Sequence, residues 1–239
     1  MKKYSLLIMA VGAAVLTSCI LQKRTDVDPK GEKMETREVP VGSFTELALQ
    51  GGVEVEYVQG DTCSVVMSGT RNSLNRVQVN QEGEHLDIRF GKQKNLNFSD
   101  ILSMRNFKLK VTVTCPELRK VTVSGACDFD ANGPIVAKAM YFDIYGAGDL
   151  DVKNLTCDSL AVMIKGAGDL DLGLHKVAHT RVEISGAGDA SIDFDDCDEA
   201  RCVVSGAGDI KLSGSLRKLD KDVSGAGNIN TKHLSINEK

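Results

Sequence analysis

Along the second half of the chain apolar and polar residues alternate with period two. The alternation is punctuated by one short motif: SGACD (124–128), YGAGD (145–149), KGAGD (165–169), SGAGD (185–189 and 205–209) and SGAGN (224–228). The first glycines are Gly125, Gly146, Gly166, Gly186, Gly206 and Gly225, so the unit recurs at intervals of 21, 20, 20, 20 and 19 residues. Aligned on that glycine, the repeats form columns. Two residues before it stand Val123, Ile144, Ile164, Ile184, Val204 and Val223, all β-branched. Four before it stand Val121, Phe142, Val162, Val182, Cys202 and Lys221, apolar until the last. Four after it come Phe129, Leu150, Leu170, Ala190, Ile210 and Ile229, and six after it Ala131, Val152, Leu172, Ile192, Leu212 and Thr231. Residues between these columns are mostly polar, as with Asp143, Asp151, Lys165, Glu183 and Lys211. This pattern predicts half-buried strands on both sides of the motif and excludes helix, which needs a 3.6-residue period.

The return path has columns too: Val136, Cys157, Val177 and Cys197, then Met140, Leu160, Thr180, Ala200 and Leu219. Strand, tight turn, strand and return make one coil of a solenoid, whose coils stack in register so that each apolar column becomes a stripe inside the tube. The predicted fold class is therefore all-β, a single parallel β-helix of about 20-residue coils with GAGD corner turns. Earlier coils are expected at LALQGGVEV (47–55) and VVMSG (65–69). The stretch VQVNQEGEHLDIRF (77–90) alternates around Glu82 and Gly83 as a hairpin or an irregular coil, and GKQKNLNFSD (91–100) reads as a loop. The polar ending TKHLSINEK (231–239), with Lys221 interrupting an inner column, predicts a covered solenoid end and a monomer.

The corner raises the question of chemistry. Its acid column is Asp128, Asp149, Asp169, Asp189 and Asp209, closed by Asn228. The expected role is structural: each carboxylate caps its own turn, the glycines supply positive φ, and the alanine between them sits inside a corner too tight for anything larger. Asn228 fits that role, since an amide makes the same turn bonds without charge. A weak cation ladder is the alternative, yet calcium-binding β-rolls follow GGxGxDxUx with a nine-residue period, and both the period and the Asp position differ here. A glycosidase pair needs two unlike acids, whereas these acids share one environment. DFDDCDEA (193–200) reads as a solvated return path. His85, His175, His179 and His233 lack zinc spacing, and no helix follows GAGD to cradle phosphate. No catalytic, metal or cofactor residue is expected.

The N-terminus sets the compartment. Lys2 and Lys3 precede the apolar run YSLLIMAVGAAVLTS, which ends at LTSC (16–19). Residues 1–18 read as a lipoprotein signal peptide, with Cys19 the lipidated first mature residue, 19–40 as a charged tether and 41–239 as the solenoid. The expected location is the cell envelope, as an outer membrane lipoprotein; ILQKRTD after Cys19 has no acidic cluster, so its surface and periplasmic faces both stay open. The chain holds 29 Lys and Arg against 33 Asp and Glu; without Lys2 and Lys3 the count is 27 against 33, a charge of −6. An acidic chain without a basic cluster excludes nucleic acid as a partner. The expected partners are the membrane, through the lipid, and a glycan or extracellular protein. Six further cysteines, none in a CxxC pair, read mostly as small buried apolar side chains, with Cys157 and Cys197 two coils apart and out of disulfide reach.

Taken together, VGSFTELALQGGVEVEYVQGD (41–61), LKVTVTCPELRKVTVSGACD (109–128) and the serial GAGD repeats resemble the autotransporter adhesin family with a head GIN domain, frequent among lipoproteins of Bacteroidetes-type bacteria. The resemblance implies a parallel β-helix and a role in adhesion at the cell envelope; the reading is an adhesin or binding scaffold without catalysis, with a polysaccharide-active β-helix enzyme and a periplasmic structural or assembly protein as the alternatives. The resemblance carries over no catalytic residue. Cys127, in place of the second glycine, and Asn228, in place of the acid, depart from the repeat, as relaxed ends of a stack would.

Overall fold

The computed structural model describes residues 33–91 and 109–237. In chain order the strands are β1 (Met34–Val39), β2 (Glu46–Gly51), β3 (Glu54–Gln59), β4 (Ser64–Thr70), β5 (Val77–Glu82), β6 (His85–Phe90), β7 (Leu109–Cys115), β8 (Lys120–Gly125), β9 (Asp128–Ile144), β10 (Leu150–Ile164), β11 (Leu170–His175), β12 (His179–Ile184), β13 (Ala190–Val204), β14 (Ile210–Val223) and β15 (Ile229–Ile236). A single helical turn, α1 (Arg71–Leu74), is N-capped by Thr70. All fifteen strands belong to one continuous sheet.

From β8 onward this sheet is the solenoid that the repeat predicts. Leu150 pairs in parallel with Phe129 below and Leu170 above, and Ile164 with Ile144 and Ile184. The inner columns are buried: Val123, Ile144, Ile164, Ile184 and Val204 on one side of the corner, and Phe129, Leu150, Leu170, Ala190 and Ile210 on the other. Toward the base the tube is filled by aromatic rings, with Tyr57 stacked on Phe129 at 6.0 Å between centroids and Phe142 tilted against Phe129 at 6.5 Å. Parallel in-register stacking thus turns a 20-residue sequence period into one apolar core.

The second bend corrects one predicted column. Register shifts occur between Val152 and Asn154 and between Phe194 and Cys197, and Lys176 and Asp196 adopt positive φ beside this bend. The bulge turns Val136 outward, 61% exposed, and puts Ala137 in register with Cys157. The rest of that column, Cys157, Val177 and Cys197, is buried as expected, and Ile135, Leu155, Leu174 and Phe194 fill the interior beside it.

At the base, spatial order departs from chain order. β2 lies between β6 and β8, and β3 between β7 and β9, each pairing in parallel. The β2–β3 coil is thus sandwiched between one made later, from β6 and β7, and the ascending stack. Residues 47–55 form a coil as expected, with Gly51 opposite Gly125. VVMSG does not: it lies in β4, which runs antiparallel between β1 and β7 and closes the base. Residues 77–90 are a hairpin, β5 on β6, turned at Gly83 with φ of +59°. Its second strand also stacks on β2, so both readings of that stretch apply. Of the segment read as a loop, only Gly91 lies among the described residues. At the opposite end β15 covers part of the last coil; Lys221 is exposed and Val223 is 42% exposed.

Candidate functional site: an acidic groove along the corner

The corner is built by continuing the strand alternation through the turn. Ile144, Gly148 and Leu150 are buried, whereas Tyr145, Ala147 and Asp149 are exposed, and the next three coils repeat this parity. The expected inner position of the alanine is therefore wrong. Ala126, Ala147, Ala167, Ala187, Ala207 and Ala226 all face outward, and the inner corner is the second glycine. Its column begins with Val53 and Cys127, both buried, and narrows to Gly148, Gly168, Gly188 and Gly208 as the coils tighten. The glycines' role also differs from the expected one. Of the first and second glycines of the six motifs, only Gly125 has a left-handed φ, +105°. The others are needed for close approach: a Cβ on Gly166 would overlap the carbonyl oxygen of Gly146 below, and one on Gly188 that of Gly168. Main chain zips to main chain here, with the Ala167 N–H donating to Gly146 O at 2.8 Å and the Ala187 N–H to Gly166 O at 2.9 Å.

Four of the five aspartates reach the next coil rather than their own turn, while for Asp128 the structure gives the main-chain bond from its N–H to Val53 O at 3.0 Å. Asp149 Oδ1 accepts the Asp169 N–H at 3.2 Å, Asp169 Oδ1 the Asp189 N–H at 3.1 Å, Asp189 Oδ1 the Asp209 N–H at 2.8 Å, and Asp209 Oδ1 the Asn228 N–H at 2.7 Å. The main-chain carbonyls run the other way, as in Leu150 N–H to Asp169 O at 2.9 Å. The carboxylates thus replace the main-chain acceptor that the corner turns away, and a charged acceptor strengthens each bond. Asn228, in the last described corner, closes the series as the N–H donor to Asp209 Oδ1. The residues expected to form a column do so, but as an inter-coil ladder and not as separate caps.

Two residues on, a second outward column runs beside the first: Glu56, Asp130, Asp151, Asp171, Ser191, Lys211 and Asn230, each in register with the next. Sequence reasoning noted Asp151 and Lys211 only as polar spacers. The fixed offset of two residues from the GAGD aspartate was the signal that could have revealed the column. With Glu54 in register with Asp128 at the base, the columns enclose an open groove of about 570 Å³ between Asp149 and Asn230. Cations offset part of its charge: Lys153 bonds Asp151 at 2.5 Å and Lys110 pairs with Glu56 at 3.0 Å. Burial, reinforced by the charges of Asp151, Asp128 and Glu56, holds the Asp130 carboxyl above its ordinary range. Asp151 Oδ1 is buried without a hydrogen-bond donor.

The remaining sequence candidates take quieter positions. In DFDDCDEA most acids are partnered: Asp193 accepts from Ser213 Oγ at 2.7 Å, Asp195 pairs with His175 at 2.7 Å, and Asp198 and Glu199 share Arg217 at 3.1 and 3.5 Å. His85 and His179 pair with Glu46 and Glu199. Among the described residues no three His, Cys, Asp or Glu side chains converge as a metal cage. Cys19, residues 1–18 and residues 20–32 of the expected tether lie outside the described residues, and the 19–40 boundary is corrected at its end, where Met34–Val39 forms β1 and pairs with β4 instead of serving as tether.

Solved structures share this architecture. An adhesin-type protein of Bacteroides fragilis superposes with a TM-score of 0.66 at 22% identity, over 83% of this chain and 96% of that one. A protein of Parabacteroides distasonis, described as a "putative lipid binding protein", gives 0.64 at 18% identity over 85% and 98%. An adhesin-type protein of Parabacteroides merdae gives 0.51 at 17% over 85% and 98%. These likenesses are of fold. No curated protein matches the chain. The family described as "Putative auto-transporter adhesin, head GIN domain" matches residues 43–174 and 174–238. Its span takes in the whole stack from β2 to β15, and the chain belongs to that family.

Proposed function

We propose that this chain is a lipid-anchored adhesin of the outer membrane, a non-catalytic scaffold whose acidic groove holds an extended, basic segment of an extracellular protein. The observation that carries the reading is the acid column from Asp149 to Asp209, repeated at the strand spacing of about 4.8 Å and flanked in the lower coils by Asp130, Asp151 and Asp171. A ladder of equivalent carboxylates suits an extended partner bearing Lys or Arg side chains, and it steers such a partner from solution. The lipid on Cys19 would hold the stack to the membrane through the residues that precede β1.

The test is binding of fluorescent poly-L-lysine by two variants of equal charge. In one, Asp149, Asp169, Asp189 and Asp209 become Asn, which keeps an oxygen for the inter-coil bonds. In the other, Asp193, Asp195, Asp196 and Asp198 become Asn. Loss of salt-sensitive binding in the first alone supports the groove; equal loss in both reduces the effect to net charge and contradicts it.

A second reading, a polysaccharide-active β-helix, is favoured by one observation. Asp130 and Asp151 are adjacent yet unlike acids, the first with its carboxyl held up by burial and the second ion-paired to Lys153. Incubation with a panel of polysaccharides decides it: released oligosaccharides would establish it, and unchanged polymers would leave the scaffold.

A further inference from the structure

Two cysteines meet at the base of the stack. β4 and β7 run antiparallel with Val65 opposite Val113 and Ser64 opposite Thr114, so the next step of the register puts Cys63 opposite Cys115. The type of pairing follows from the other side of β7. Gln59 of β3 pairs in parallel with Cys115, and the Gly60 N–H donates to Cys115 O at 3.2 Å. The N–H and C=O of a strand residue point to the same side, so the main-chain groups of Cys115 face β3. Toward β4 the residue is therefore at a non-hydrogen-bonded position, where opposed Cα atoms approach to about 4.5 Å and side chains come closest. That spacing lies within the range a disulfide spans. The two side chains also share a face: Val65, Val113 and Cys115 are buried, and half-buried Cys63 packs against the same core.

We infer that Cys63 and Cys115 form a disulfide after export, stapling the antiparallel base to the parallel stack. The chemistry balances by exchange with the disulfide of an oxidant thiol, either a carrier protein or oxidised glutathione. The more accessible Cys63 thiolate attacks the oxidant disulfide and expels one thiolate. Cys115 then attacks Cys63 Sγ and expels the second. Two protons and two electrons leave the pair, and the oxidant becomes two thiols. Burial pushes the Cys115 thiol up to about 11, the hydrogen bond with the Tyr57 hydroxyl lowers it, and the neighbouring Cys63 raises it again. The Tyr57 hydroxyl senses Cys115 and Cys63 as well. The staple has a mechanical place in the fold. Among the described residues β1 pairs only with β4, and β4 reaches the stack through β7, so load from an anchor before β1 enters across this pair.

Trypsin separates the two cysteines into peptides 38–71 and 111–119, each with a single cysteine. The purified full-length chain is equilibrated with oxidised and reduced glutathione, alkylated, digested without reduction and weighed by mass spectrometry. The expected product is a linked 38–71/111–119 pair. Reduction should lower the Tm by about 5–15 °C, and Cys63→Ser should match the reduced wild type. Alkylated, unlinked peptides, linkage of Cys115 to another cysteine, or a Tm indifferent to reduction would overturn the inference. The same digest of chain recovered from cells separates this from the envelope reading: linkage with glutathione but free thiols in cells counts against export and leaves the pairing intact.

Discussion

Asp189 Oδ1 accepts the main-chain N–H of Asp209, twenty residues ahead, at 2.8 Å. That bond defines what the repeated acid does: it closes a gap in the sheet ladder where the corner turns a carbonyl away. The acceptor matters more than the charge, because the site is exposed and like-charged neighbours stand above and below. Asp189→Asn is therefore expected to leave stability within about 0.5 kcal/mol, while Asp189→Ala costs about 0.5–1.5 kcal/mol. Urea denaturation of both variants checks this; an Asn variant as unstable as the Ala variant would show that charge, not the acceptor, holds the corner.

Gly188 and Ala187 are adjacent yet face opposite ways. A Cβ at Gly188 overlaps the Gly168 carbonyl, so Gly188→Ala must push two coils apart and should cost about 3 kcal/mol or more. Ala187 faces solvent, and Ala187→Leu should stay within about 0.5 kcal/mol. Thermal melts of the two proteins give the comparison, and the reverse order would mean that the alanine lines the inside of the turn.

Asp130 should make stability depend on pH in the direction opposite to an ion-paired acid. Its folded carboxyl sits above the ordinary value of 3.8, so between that value and its folded one the native state binds more protons than the unfolded chain. Its unfavourable contribution is complete at neutral pH, shrinks as pH falls through the folded value, and vanishes below 3.8. Asp130→Asn is expected to stabilise at pH 7 and to converge with wild type near pH 3. Denaturant midpoints from pH 3 to 8 test this, and a variant less stable than wild type at neutral pH would contradict it.

The stack itself was legible because in-register coils oblige each inner column to be apolar in every repeat, as at Ile144, Ile164 and Ile184. The base was not. β6 and β7 stack beneath β2 and β3, which precede them in the chain, and no local pattern encodes that order. One clue existed in Gly51-Gly52-Val53-Glu54, a corner in register with Gly125 to Asp128 but without the alanine that marks the six later motifs. Val136 was misplaced because a bulge shifts register by one residue, and a shift of one exchanges the faces of a strand. The orientation of the alanines was readable from parity, since Ala147 stands an even number of residues from exposed Tyr145 and Asp149. The acid ladder's partner was not, because a carboxylate that caps its own turn and one that bonds the next coil leave the same sequence.

Adhesion requires the scaffold to be displayed at the cell surface, and trypsin shaving of intact cells tests that most directly. Lys23, Arg24 and Lys30 lie between Cys19 and the first strand, so brief digestion of a surface-displayed chain should release the folded stack into the medium. Release from intact cells, with a periplasmic marker untouched, is the expected result. A chain that stays cell-associated and uncut until the outer membrane is opened would contradict surface adhesion.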